Sequence, residues 1–203
     1  METRFLLCDS CEVIIEDRGE GKQPVITGYA AVFYDGTKNT EYQLWPGAVE
    51  RVMPGAFAKS VGDDVRATFN HDPSLILGRT KKGKTLRLSV DDKGLRYEID
   101  PPDTQAGRDL MTSLKRGDVT GSSFSFAVDG AAGENWTKDG SGNQVRELRL
   151  VKLFDVGPVT FPAYKLTQAS ARHIGHISEA CQSYEAWLRQ RRLLALDLEE
   201  MDM

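Results

Sequence analysis

The sequence predicts a mainly β fold, an antiparallel barrel or sandwich with flanking helices. Three observations carry that expectation. Short runs rich in β-branched, aromatic and aliphatic residues recur along the chain, separated by Gly, Pro and Asp connectors. Only two stretches, 104–116 and 177–198, repeat apolar residues at helical spacing. The 203 residues, 40% hydrophobic and 28% charged, suit one globular domain of about 150 residues with an appendage.

In chain order, residues 12–15 form a first candidate strand and 16–22 a charged, Gly-containing turn. Residues 25–33 and 42–45 read as further strands. Pro46-Gly47-Ala48 and Pro54-Gly55-Ala56 read as turns, because Pro presets one backbone dihedral and Gly permits the other. Residues 56–61 suit a short helix. Strands follow at 65–70, 74–78, 85–90 and 95–100, with Lys82-Gly83-Lys84 and Asp91-Asp92-Lys93-Gly94 as hairpin-type connectors. Pro101-Pro102 stops the last of them. In 104–116, Leu110, Met111 and Leu114 share one helical face, Thr104 suits an N-cap and Gly117 a C-terminal stop.

Residues 117–126, Gly-Asp-Val-Thr-Gly-Ser-Ser-Phe-Ser-Phe, are the centre of the reading. On a strand, Ser122, Phe124, Phe126 and Val128 share one face, and Gly121, Ser123, Ser125 and Ala127 the other. The first face looks into the core. The second is bare, which leaves room for an extended peptide added as a strand. Residues 130–144 are Gly-rich and polar and read as a long loop. Residues 145–151 and 153–160 return to strand, and Pro162 ends the run. In 177–198, Ile177, Cys181, Tyr184, Leu188, Leu194 and Leu198 form the apolar stripe of an amphipathic helix. Its polar face mixes both charge signs, which favours packing or oligomer contacts over membrane binding.

Composition narrows the function classes. A net charge of −4 argues against a nucleic-acid partner. No apolar run approaches the ~20 residues that span a membrane. The start offers only Phe5-Leu6-Leu7 as an apolar patch, too short for a signal-peptide core. Three cysteines are not a disulfide framework, so a reducing cytoplasm is expected.

A nucleophilic serine needs a base within hydrogen-bond reach and a group that orients the base. Among the three histidines, His71 sits at a strand end among turn formers, where functional residues are often held. The alternative is a turn histidine bonded to local backbone. Asp155 lies in Val151-Lys152-Leu153-Phe154-Asp155-Val156-Gly157-Pro158-Val159, a strand-like run that is otherwise apolar apart from Lys152. A buried carboxylate there needs a partner, and a histidine would serve. Otherwise it faces solvent from an edge strand or pairs with an arginine. Asp72 adjoins His71 but points the other way. Ser123 has the competing reading of a strand serine bonded to backbone. Gly121-Ser122-Ser123-Phe124-Ser125 is not a Gly-x-Ser-x-Gly elbow, which disfavours an α/β-hydrolase. Cys8 and Cys11 have zinc or redox spacing, and His173 with His176 would complete four ligands only by joining the two ends of the chain.

Five ordered blocks together resemble the prohead maturation serine proteases of tailed phages, a family similar to herpesvirus assemblin. They are Gly28-Tyr29-Ala30-Ala31-Val32-Phe33, Pro54-Gly55-Ala56-Phe57, Asn70-His71-Asp72, Gly117-Asp118-Val119-Thr120-Gly121-Ser122-Ser123-Phe124, and Asp155-Val156-Gly157-Pro158-Val159-Thr160-Phe161-Pro162-Ala163-Tyr164. The resemblance implies a closed antiparallel β-barrel with flanking helices. The resemblance covers a protease domain at 25–171, which leaves an N-terminal segment at 1–24 and the terminal amphipathic helix at 172–203. It implies a serine endopeptidase without cofactor or metal, acting inside the assembling prohead in the host cytoplasm. The implied partners are the scaffold segment of the major capsid protein, other prohead proteins and a second copy of the chain, with self-cleavage. Ser123 matches the family nucleophile, His71 the base and Asp155 the third member. Ser125 departs from the glycine common after the Ser-Phe pair. The 158–164 stretch lacks the arginines that assemblin uses near its oxyanion, leaving backbone amides near Ser123 for that task. The alternative on the same fold is a non-enzymatic capsid-assembly or scaffolding module with a degenerate site.

Overall fold

Alternating and β-branched runs become strands, and Pro- and Gly-marked connectors become their turns, in the computed structural model of the chain. It describes residues 2–6 (backbone), 13–17, 19 and 24–160. In order, the elements are β1 (Glu2–Leu6), β2 (Ile14–Glu16), β3 (Val25–Val32), β4 (Tyr42–Trp45), β5 (Ala48–Val52), β6 (Arg66–Thr68), β7 (Ile76–Arg79), β8 (Leu86–Val90), β9 (Gly94–Ile99), α1 (Gln105–Arg116), β10 (Gly121–Val128), β11 (Glu134–Lys138), β12 (Gln144–Leu148) and β13 (Val151–Val159).

These strands form three sheets, ordered β1-β10-β13-β6-β7, β11-β12-β5-β4 and β2-β3-β9-β8. The closed antiparallel barrel is therefore corrected. Closure needs a ladder partner on both sides of every strand. Among the described residues β1, β7, β11, β4, β2 and β8 each end a sheet. Two pairings, β5 with β12 and β6 with β13, are parallel. Alternation reports that a segment lies on a pleated, half-buried surface, not which segment lies beside it. The same pattern suits a barrel and three packed sheets. The flanking helices reduce to α1 among the described residues; the helix expected at 177–198 and the boundary at 171/172 lie outside them.

The core forms where the sheets meet. Tyr97, Phe57, Phe124, Phe126, Ile26, Leu95 and Ile99 are fully buried. Phe124 and Phe126 stack at 5.2 Å, and Phe57 meets Phe124 edge-on at 5.5 Å. Burying each such ring stabilises the fold by roughly 1.5–3 kcal/mol, which fixes the inner face of β10. The helix before it sets its entry. Thr104 Oγ1 accepts from Gly107 N at 3.1 Å as the N-cap. Gly117, at φ 77°, ends α1 in the left-handed region, and Asp118 N donates to Ser113 O at 2.9 Å. Leu110 and Leu114 bury the inner stripe.

Several local expectations change. The loop expected at 130–144 contains β11 and the first residue of β12, closed by a turn in which Asp139 Oδ1 accepts from Ser141 N and Asn143 N at 2.9 Å each. β11 is an outer strand with polar residues on its wet face, so it lacks the apolar alternation of a half-buried strand. Residues 56–61 form turns and then a 3-10 helix at Ser60–Gly62, not a helix of their own. Ala48 begins β5 rather than finishing a turn. β1, within the segment expected to precede the domain, pairs antiparallel with β10.

Candidate active site

Strand register brings the expected residues together. In the antiparallel β10–β13 pair, Ser123 lies opposite Gly157 and Ser125 opposite Asp155. Ser123 and Ser125 are two apart on one strand, so their side chains share a face. β6 runs parallel to β13, with Asp155 opposite Arg66. The turn leaving β6 therefore emerges beside the end of β13. Gly157 permits the close approach: a Cβ there would lie 2.1 Å from Thr68 O.

That turn carries His71. Asn70 and His71 have φ of 55° and 56°, the left-handed region that non-glycine residues rarely enter. Hydrogen bonds to β13 and its exit hold it there. Asn70 N donates to Pro158 O at 3.1 Å and Thr160 N to Asn70 Oδ1 at 2.8 Å. Asn70 Nδ2 also donates to Thr160 Oγ1 at 3.1 Å. The turn thus orders an uncommon backbone shape that points the imidazole across the sheet.

His71 Nε2 lies 2.5 Å from Ser123 Oγ, and His71 Nδ1 is hydrogen-bonded to Asp155 Oδ1. The carboxylate has two further donors, Thr68 Oγ1 to Oδ1 at 3.2 Å and Ser125 Oγ to Oδ2 at 2.5 Å. Ser123 and Ser125 are fully buried, and the His71 and Asp155 side chains are 7% and 13% exposed. Burial pushes the Asp155 carboxyl up. The hydrogen bond and charge of His71, with the Ser125 and Thr68 hydroxyls, outweigh it and hold the group below the ordinary carboxylate range. An ionised Asp155 favours the imidazole tautomer with the proton on Nδ1. Nε2 then presents its lone pair to the Ser123 hydroxyl, the geometry of a general base and its nucleophile.

One expectation needs correction. The face of β10 read as bare is covered, since Gly121 to Phe126 are buried on both sides. A stripe of small side chains signals close approach as readily as an open groove, and here the imidazole and carboxylate fill the space. Among the described residues Asp155 pairs with His71 and not with an arginine, and its side chain is largely buried. Asp72 accepts from Ser74 N at 2.8 Å and Ser74 Oγ at 2.5 Å, in the turn that follows His71. Cys8, Cys11, His173 and His176 lie outside the described residues. Thr68 and Ser125 were missed as contributors. The available signal was the Ser-x-Ser alternation, which places Ser125 on the Ser123 face beside whatever orients the base.

The sequence profile of the caudovirus prohead serine proteases matches residues 10–180. The chain belongs to that family. Membership makes it a protease of the serine type that acts in phage prohead maturation. The prohead protease of Enterobacteria phage HK97 is 29% identical over 183 residues, covering 88% of this chain and 73% of that protein. Among solved structures, the bacteriophage T4 capsid assembly protease, gp21, aligns with a TM-score of 0.45 at 14% identity, over 80% of this chain and 100% of that one. His71, Ser123 and Asp155 all fall within the span matched to the prohead serine proteases.

Proposed function

We propose that this prohead serine protease is an endopeptidase whose nucleophile is Ser123, whose general base is His71 and whose orienting acid is Asp155. Its substrates are scaffold segments of capsid proteins in the assembling prohead, and its own chain. The supporting observation is the continuous hydrogen-bonded series from Ser123 Oγ through both ring nitrogens of His71 to Asp155. As Ser123 Oγ attacks the scissile carbonyl carbon, His71 Nε2 takes its proton. The imidazolium, stabilised by Asp155, then protonates the departing amine as the C–N bond breaks. Water, deprotonated by the same nitrogen, hydrolyses the acyl-enzyme and releases Ser123. Such groups act as a unit, so losing the nucleophile costs on the order of a million-fold in kcat.

The test is co-expression of the full chain, or its Ser123→Ala variant, with the major capsid protein of the same phage, read by intact-mass spectrometry. The expected result is a shortened capsid protein with the unaltered chain alone, and the same far-UV circular dichroism for both proteases. Equal shortening by both would contradict the assignment.

A further inference from the structure

The assembled Ser123–His71–Asp155 set is closed. Ser123 is 0% exposed and the His71 side chain 7% exposed, so a peptide carbonyl reaches Oγ only if something moves. The candidates for movement are set by the sheet. One side of β10 is β13, which carries Asp155 and is itself paired to β6. Displacing β13 would take the acid away from the base. The other side is β1, which among the described residues is an outer strand paired to β10 alone. Its register runs Glu2 opposite Phe126, Thr3 opposite Ser125, Arg4 opposite Phe124, Phe5 opposite Ser123 and Leu6 opposite Ser122. An extended stretch of this chain therefore lies antiparallel along the nucleophile strand, centred on its Ser-Phe-Ser core. Strand addition draws its affinity from main-chain hydrogen bonds, so one extended segment can replace another there.

We propose that the β10 edge from Ser122 to Phe126 is a docking edge for an extended peptide segment, and that Glu2–Leu6 is its internal occupant, which a substrate segment must displace. The inference rests on the protease reading for what enters, but the competition itself is a matter of strand pairing. A tethered segment competes at an effective concentration on the order of millimolar. The apparent affinity for an incoming peptide falls by the fraction of chains whose edge is open. β1 thus keeps an isolated chain latent, and a high local concentration of extended substrate segments would release it.

The test uses the full chain and its Arg4→Pro/Phe5→Pro variant. Of two successive strand N–H groups only one faces a given neighbour, so the pair removes a ladder donor whichever phase applies. The probe is a fluorescein-labelled, end-capped peptide of the sequence Glu-Thr-Arg-Phe-Leu, followed by fluorescence anisotropy. Modification of Ser123 by a small fluorophosphonate is followed in parallel. The expected results are at least tenfold tighter peptide binding to the variant, and slower Ser123 modification once the peptide is bound. Equal binding to both chains, or, where Ser123 is modified, binding that leaves its rate of modification unchanged, would overturn the proposal. Hydrogen exchange of the unaltered chain gives a second reading that needs no variant. The 2–6 amides should exchange faster than those of β13, whereas exchange in step with β13 contradicts a displaceable strand. If neither chain is modified at Ser123 while peptide binding still differs tenfold, the hydrolase reading fails and the docking edge stands.

Discussion

Asp155 is the residue on which the site's electrostatics turn. Its two oxygens take three donors, from His71, Thr68 and Ser125. Removing the Ser125 hydroxyl leaves a buried carboxylate oxygen short of a partner, a loss of about 1.5–3 kcal/mol for a hydrogen bond to a charged group. Ser125→Ala should therefore lower kcat about ten- to a hundredfold with KM nearly unchanged, and Ser125→Thr should restore part of it. Acting through Asp155, the substitution should cost little more in an Asp155→Asn background, which a double-mutant cycle on kcat would read. The same change should raise the Asp155 carboxyl pKa, followed by the 13C shift of its Cγ. The sign for stability follows from the depressed folded value. The unfolded chain holds the proton more tightly, so the contribution is present above the unfolded pKa of about 3.9 and fades as pH falls through the lower folded one. Urea midpoints of the unaltered chain should drop below about pH 4, and Ser125→Ala, with its folded value closer to the unfolded one, should show a smaller drop.

At the level of elements, the closeness of β6 and β13 decides whether His71 reaches Ser123. A Cβ on Gly157 would sit 2.1 Å from the Thr68 carbonyl oxygen, which is backbone and cannot swing aside. Gly157→Ala should cost about 1–3 kcal/mol by overpacking, measured by urea unfolding. Its loss of activity should exceed the unfolded fraction, because the strand shift parts base from nucleophile. The elements also show what sequence could reveal. The register of α1 was legible because capping is local chemistry: Thr104 and Gly117 sit where the helix needs an acceptor and a left-handed residue. β4 was legible for a similar reason, its alternation being bounded by Pro46-Gly47. β11 was not, because an outer strand with polar side chains looks like a loop. β1 was not, because its pairing with β10 spans more than a hundred positions, from Phe5 to Ser123, and no local pattern encodes such a partner.

On the scale of the whole molecule, the three sheets divide the work. The five-stranded sheet holds the candidate site, while the β11-β12-β5-β4 sheet contains a buried ion pair of its own. Glu50 is 0% exposed and accepts from Arg146 Nη1 at 3.0 Å, and Arg146 Nε donates to Glu134 at 2.6 Å. Removing the charged partner from a buried ion pair costs about 3–5 kcal/mol. Arg146→Met should accordingly lower the urea midpoint strongly, while kcat per folded molecule stays the same. The candidate residues themselves were legible in the chain, because few histidines compete for the role of base and Asp155 stands alone in an apolar run. Their meeting point was not, since it depends on the parallel β6–β13 pair and on a turn with two successive left-handed residues. The barrel expectation failed at this scale for the same reason: side-chain alternation is blind to which edges pair.

The central claim is that Ser123 is activated by His71. The most direct measurement is the rate and position of modification by a small fluorophosphonate, with peptide mapping of the adduct in the full chain and in His71→Ala. The account predicts an adduct on Ser123 in the full chain and a rate at least a thousandfold lower in His71→Ala, on the scale of losses in such units. An adduct on another serine, or the same rate on Ser123 without the imidazole, would contradict it.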